Sequence, residues 1–144
     1  MQHHKRGEIL MPRIAQLYFK TAIIFLIIGI GMGLQMAISD DHTALGAHAH
    51  NNLLGWVTMA LFGCYHAFNP RKAEKRLAML QYYVYTAGLI VLVPSLYLLL
   101  EGNMAMGPVV GISSIVVFIG VLMFAAIIFS GEESTAASPK AASR

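Results

Sequence analysis

Acidic and basic side chains are missing from four long stretches of this chain. Residues 21–39, 42–70, 77–100 and 102–131 contain no Asp, Glu, Lys or Arg, and together they fill 102 of its 144 positions. A helix needs about 20 predominantly apolar residues to cross the hydrocarbon of a bilayer. Each stretch is near or beyond that length. The expected fold class is therefore all-α: an integral membrane four-helix bundle, with spans at about 17–38, 47–68, 77–100 and 107–129. Charged residues make up 12% of the chain, half the roughly 25% of an ordinary soluble domain. A soluble globular enzyme and a disordered chain are excluded. The single cysteine, Cys64, rules out an intrachain disulfide and reads as a packing residue.

The charges between the spans set the expected topology. All ten Lys and Arg fall before the first span (Lys5, Arg6, Arg13, with Lys20 just inside it), between the second and third (Arg71, Lys72, Lys75, Arg76) or after the fourth (Lys140, Arg144). The other two connections carry only Asp40, Asp41 and Glu101. Positive charge stays on the cytoplasmic side, so both termini and the middle loop are expected there. Residues 1–16 then form a cytoplasmic segment and 131–144 a mobile cytoplasmic tail, in a bacterial-type inner membrane. The pI near 9.2 fits this topology better than nucleic-acid binding, and no cleavable signal peptide is expected. Tyr18, Phe19, Tyr82, Tyr83 and Tyr85 suit the inner interfacial belt. Gly29 and Gly33 stand at the spacing that lets another helix approach closely. Pro94 frees one carbonyl in the third span, and Ser95 beside it is placed to re-satisfy the backbone.

Histidine inside a span is rare and marks function by default. His48 and His50 open the second span, followed by Asn51 and Asn52, with His42 before them and His66 near the inner end. Two positions on a regular helix differ by about 200°, so His48 and His50 serve opposite faces rather than one metal ion. His66 lies about 24 Å further along the axis and is expected at the interface near Tyr65 and Asn69. Neutral imidazole is the commonest metal ligand, which makes His48 and His50 the principal candidates.

The stretch His48-Ala49-His50-Asn51-Asn52-Leu53-Leu54-Gly55-Trp56, then Leu61-Phe62-Gly63, Tyr65 and Pro70, resembles the second helix of the haem–copper oxidase catalytic subunit. The likeness is closest to the nitric oxide reductase large subunit, where His-x-Asn-Leu-Leu leads to Trp, Phe-Gly, Tyr and Pro. Trp56 stands one position closer to His50 than in that pattern. The resemblance implies that His50 is an axial ligand of haem b. The family's His-x-His element, on another of its helices, is matched by His48 and His50 as well. Cofactor contacts are implied for Asn52 and Trp56, with Leu53, Phe62 and the glycines of the first span lining an apolar slot. The likeness spans residues 46–70; elsewhere it is confined to topology and hydropathy.

In that family twelve helices form three arcs of four, so this chain resembles one arc and three copies would rebuild a ring. A homotrimer is the implied assembly, with His48 of a neighbour, His42 or Met36 as the second axial ligand. The third and fourth spans hold no histidine, so the family's copper-centre ligands are absent from them. Electron transfer with a respiratory redox partner, or haem and gas binding, is implied rather than oxygen or nitric oxide reduction.

Two other readings stay open at this point. Met32, Met36, Met104 and Met106 gather at the outer side with Asp40, Asp41, His42, His48 and His50, a donor set that suits copper or zinc in a periplasm-facing binding or trafficking protein. A non-catalytic accessory subunit of a respiratory complex would need no ligand at all.

Overall fold

The computed structural model describes residues 11–131, and their regular secondary structure is entirely helical. Helix α1 is Arg13–Ser39. Helix α2 runs over residues 45–68 and changes winding on the way: an α-helical start, Leu45–His50, a π-helical middle, Asn51–Thr58, and an α-helical end, Met59–Phe68. A short helix α3, Pro70–Ala73, occupies the expected basic loop. Helix α4 is Arg76–Leu100, and after a single 3-10 turn, Met104–Met106, helix α5 is Gly107–Phe129. Arg13–Ser39, Arg76–Leu100 and the stretch Met104–Phe129 are each long and apolar enough to cross a membrane, which makes the chain a multi-pass membrane protein.

Local chemistry accounts for the helix limits. Asp40 ends α1 in the left-handed conformation at φ 55°, which Asp tolerates because its short side chain bonds locally. Asn69 leaves the helical conformation, at φ −126° and ψ 66°, before Pro70, whose ring disfavours a helical residue at that position. Lys72 then turns back to the bundle end, donating from Nζ to the Tyr65 hydroxyl at 3.0 Å and to the Ile128 carbonyl at 2.8 Å. A cation is favourable at the last carbonyls of α5 because the helix dipole is negative there.

The helices meet as two close pairs, α1 with α2 and α4 with α5, and glycine permits each approach. A Cβ on Gly88 would stand 2.8 Å from Val117, and one on Gly120 would stand 2.9 Å from Tyr85. Between α1 and α2 the sites are Gly29, Gly55 and Gly63, where a Cβ on Gly55 would stand 2.5 Å from the Phe25 ring. The expected close contact at Gly29 and Gly33 is therefore made within one chain, by α2.

The tyrosines depart from expectation. Tyr18, Tyr82 and Tyr85 are buried rather than interfacial, and only Tyr83 of that group is exposed. The reason is polar pairing in the core: the Tyr18 hydroxyl donates to Gln81 Oε1, and Gln81 Nε2 donates to the Gly120 carbonyl at 3.2 Å. Tyr82 donates to Thr21 Oγ1 at 2.7 Å, since Thr21 already donates to the Leu17 carbonyl. In lipid a polar group without a partner costs several kcal/mol, so such bonds tie helices together. Phe62 belongs to the same core, packed between Tyr18, Tyr85 and Phe124. It is buried among those rings rather than on an exposed face.

Candidate functional site

The residues at the N-terminal end of α2 divide by what their hydrogen bonds leave free. His50 is exposed, and its Nδ1 lies 2.8 Å from the Gly46 carbonyl one turn earlier. A carbonyl only accepts, so Nδ1 carries the proton and Nε2 keeps an unshared pair. That bond fixes both tautomer and ring orientation, as ligating histidines require. Leu53, Val57 and Leu61, further along α2, are exposed as well and form an apolar strip toward its C-terminal end.

His48 is held differently. It is half-buried against α1, its Cε1 3.3 Å from where a Cβ on Gly33 would stand. Asn52 Nδ2 approaches its Nε2 at 3.1 Å and its Nδ1 at 3.4 Å, and an amide nitrogen only donates. Asn52 and α1 thereby hold His48 within the chain. Asn52 in turn rests on Gly29, its Oδ1 and Cγ filling the space a Cβ would take. Asn52 thus supports His48 rather than facing the surface that His50 faces.

The remaining predicted residues lie apart from this pair. His42 is exposed in the connection after α1, Met36 is buried, and Trp56 is half-buried against the core. Among the described residues no three His, Cys, Asp or Glu side chains come together as a metal cluster would require. Asp41, exposed beside His42, accepts from the Thr43 amide at 2.9 Å and the Thr43 hydroxyl at 2.7 Å, which holds its carboxyl below the ordinary value.

The π-helical stretch starts at the residue after His50. Two of its carbonyls take side-chain donors: Thr58 Oγ1 donates to Leu53 at 2.7 Å, and the Tyr85 hydroxyl reaches across from α4 to Leu54 at 3.1 Å. Such widened turns are frequent at functional sites. On the face toward α1, Asn51 is fully buried and donates from Nδ2 to the Phe25 carbonyl at 2.7 Å, while its Oδ1 has no partner.

Three polar residues stand out that sequence reasoning passed over or misplaced. Asn51 and Gln81 are buried amides inside apolar runs, a signal visible in the sequence because side-chain amides are scarce there. His66, expected at the interface, is fully buried: it stacks on Tyr18 with ring centroids 5.8 Å apart, meets the edges of Tyr65 and Phe124, and neither ring nitrogen has a partner. Comparison of the chain with protein-family profiles, curated proteins and solved structures finds no match.

Proposed function

We propose that this chain is a small haem b-binding membrane protein, resembling one four-helix arc of the haem–copper oxidase catalytic subunit. In this reading residues 45–68 form a fourth span beside the three apolar helices, both termini are cytoplasmic by the charge distribution, and His50 lies toward the outer side. One observation carries it: His50 has its Nδ1 proton held by the Gly46 carbonyl and its Nε2 pair free on an exposed face. That is the state an axial imidazole needs before iron arrives. When bound, haem supplies a one-electron couple, or an iron open to small gases if one axial position is free.

The chain's own residues define the rest of the role. Gly46 orients the ligand, and the exposed strip of Leu53, Val57 and Leu61 offers apolar cover for a flat macrocycle. His48 rests against Asn52 in every copy, so the second axial ligand in the proposed homotrimer is expected from another residue, and His42 is exposed. Among the described residues no three His, Cys, Asp or Glu side chains converge, which favours haem over a site built of imidazoles and carboxylates. Electron transfer or gas binding, rather than oxygen reduction, is the proposed activity.

The test is an absorption spectrum of the detergent-purified protein, oxidised and dithionite-reduced, beside His50→Ala and His48→Ala. A Soret band with sharp reduced α and β bands, lost in His50→Ala and retained in His48→Ala, is expected. A featureless spectrum from cells supplied with haem would sink the reading. A mass in detergent matching a monomer or dimer would remove the trimer alone.

A further inference from the structure

Two of the long apolar helices begin side by side, and each begins with a basic residue. Arg13 is the first residue of α1, Arg76 is the first of α4, and Lys75 precedes it. All three border one cleft of about 390 Å³, which α3 closes on a further side. That volume is within the range of a site for one small ligand or headgroup. Among the residues of its wall Glu74 is the single acid, so three cations less one carboxylate leave a net charge of +2. The three cations are exposed, and their long stems let the charged ends turn to one shared anion.

The place of the cleft in the fold selects the anion. Helices α1 and α4 are each long and apolar enough to cross a bilayer, and both start at its wall. The ends of such helices lie at the depth of the lipid headgroups. One residue beyond Arg13 and three beyond Arg76 the lining turns apolar, with Ile14 buried and Met79 half-buried. From Arg76 an exposed strip runs along α4 through Leu80 to Tyr83, at intervals of four and three. Positive charge above an apolar strip complements an anionic amphiphile rather than a free ion.

We propose that this cleft binds the phosphate of an anionic glycerophospholipid, held by Arg13, Lys75 and Arg76, with one acyl chain along Leu80 and Tyr83. Arginine suits the role because its planar guanidinium meets two phosphate oxygens at once. The net charge of the wall selects a headgroup that is negative overall, since the ammonium of a zwitterionic lipid would meet the same cations. The site is independent of His50 and stands whether or not haem binds.

The test is native mass spectrometry of the full chain in nonionic detergent, titrated with phosphatidylglycerol and phosphatidylcholine of matched acyl chains. One phosphatidylglycerol should bind about 5–30-fold more tightly than phosphatidylcholine, the worth of one to two charges near a membrane surface. Arg13→Gln and Arg76→Gln should each lower that preference about fivefold. Arg71→Gln removes the same charge from α3, but Arg71 does not border the cleft, so the preference should be kept. An equal loss in all three variants would overturn the proposal, because a diffuse basic surface would then suffice. Equal binding of the two lipids by the natural chain would overturn it without any variant. Glycerol 3-phosphate, which brings the phosphate without acyl chains, should not displace the lipid at millimolar concentration. Displacement would make the ligand a soluble phosphate ester and overturn the lipid assignment.

Discussion

Adding one methyl group at Gly29 should loosen α1 from α2, while the same change two residues later should not. A Cβ at Gly29 would meet Asn52 Oδ1 and stand 2.7 Å from Asn51 Nδ2 and 2.8 Å from Asn52 Cγ. Unstrained contacts between heavy atoms sit nearer 3.5–4.0 Å. Neither amide can retreat freely, because Asn51 holds the Phe25 carbonyl and Asn52 holds His48. Overpacking of this kind costs about 1–3 kcal/mol, and displacing the Asn51 bond adds about 1 kcal/mol. The helix propensity of Ala over Gly returns about 1 kcal/mol. Gly29→Ala should therefore lose roughly 2 kcal/mol, a folding constant some thirtyfold smaller. At Gly31 a Cβ would have nothing within 4 Å, so Gly31→Ala keeps only the propensity gain. Trp56 is the sole tryptophan and packs on the core, so its fluorescence during SDS titration in mixed micelles follows unfolding directly. Equal midpoints for the two variants would refute the claim that Asn51 and Asn52 lock against Gly29.

Three further outcomes follow from the buried polar groups and the loop after α1. Gln81→Leu removes the acceptor of the Tyr18 hydroxyl and should lower stability by about 1–3 kcal/mol in the same titration, because that hydroxyl is left buried and unpaired. His66→Leu should raise stability by about 1 kcal/mol, since relief of two unpartnered nitrogens outweighs a lost ring stack; a marked fall would reveal a hidden partner such as a bound water. Asp41 titrates below the ordinary carboxylate range because Thr43 bonds its charged form. Its contribution is thus present above the ordinary value and lost as pH falls through the lowered one, and Thr43→Ala should move its NMR titration midpoint upward.

Helix positions were legible because charge and hydropathy are segregated in this chain. The expected ends at 38, 68, 100 and 129 lie within a residue of the observed ends at Ser39, Phe68, Leu100 and Phe129. Interior placement was less legible, for physical reasons. A tyrosine suits an interface and a core equally until its hydroxyl finds a partner, and Gln81, which gives Tyr18 that partner, is 63 residues away. His66 followed the same logic, because its burial depends on Tyr18 and Phe124 from other helices. The separation of His48 from His50 was visible in their spacing. Which of them keeps a free nitrogen was not, since it depends on the rotamer of Asn52 and the carbonyl of Gly46.

The π-helical stretch also acts as a phase shifter for α2. An α-helix advances about 100° per residue, so a widened turn that takes up one extra residue rotates everything before it against everything after it by about that angle. The C-terminal half is locked by Phe62 and His66 in the core, so the rotation falls on the N-terminal half, where His50 sits. Deleting one residue between 51 and 58 and rewinding the stretch as plain α-helix would swing His50 by about a quarter turn off its present face. Which side of this protein offers an imidazole nitrogen is therefore decided by the winding of the residues that follow it.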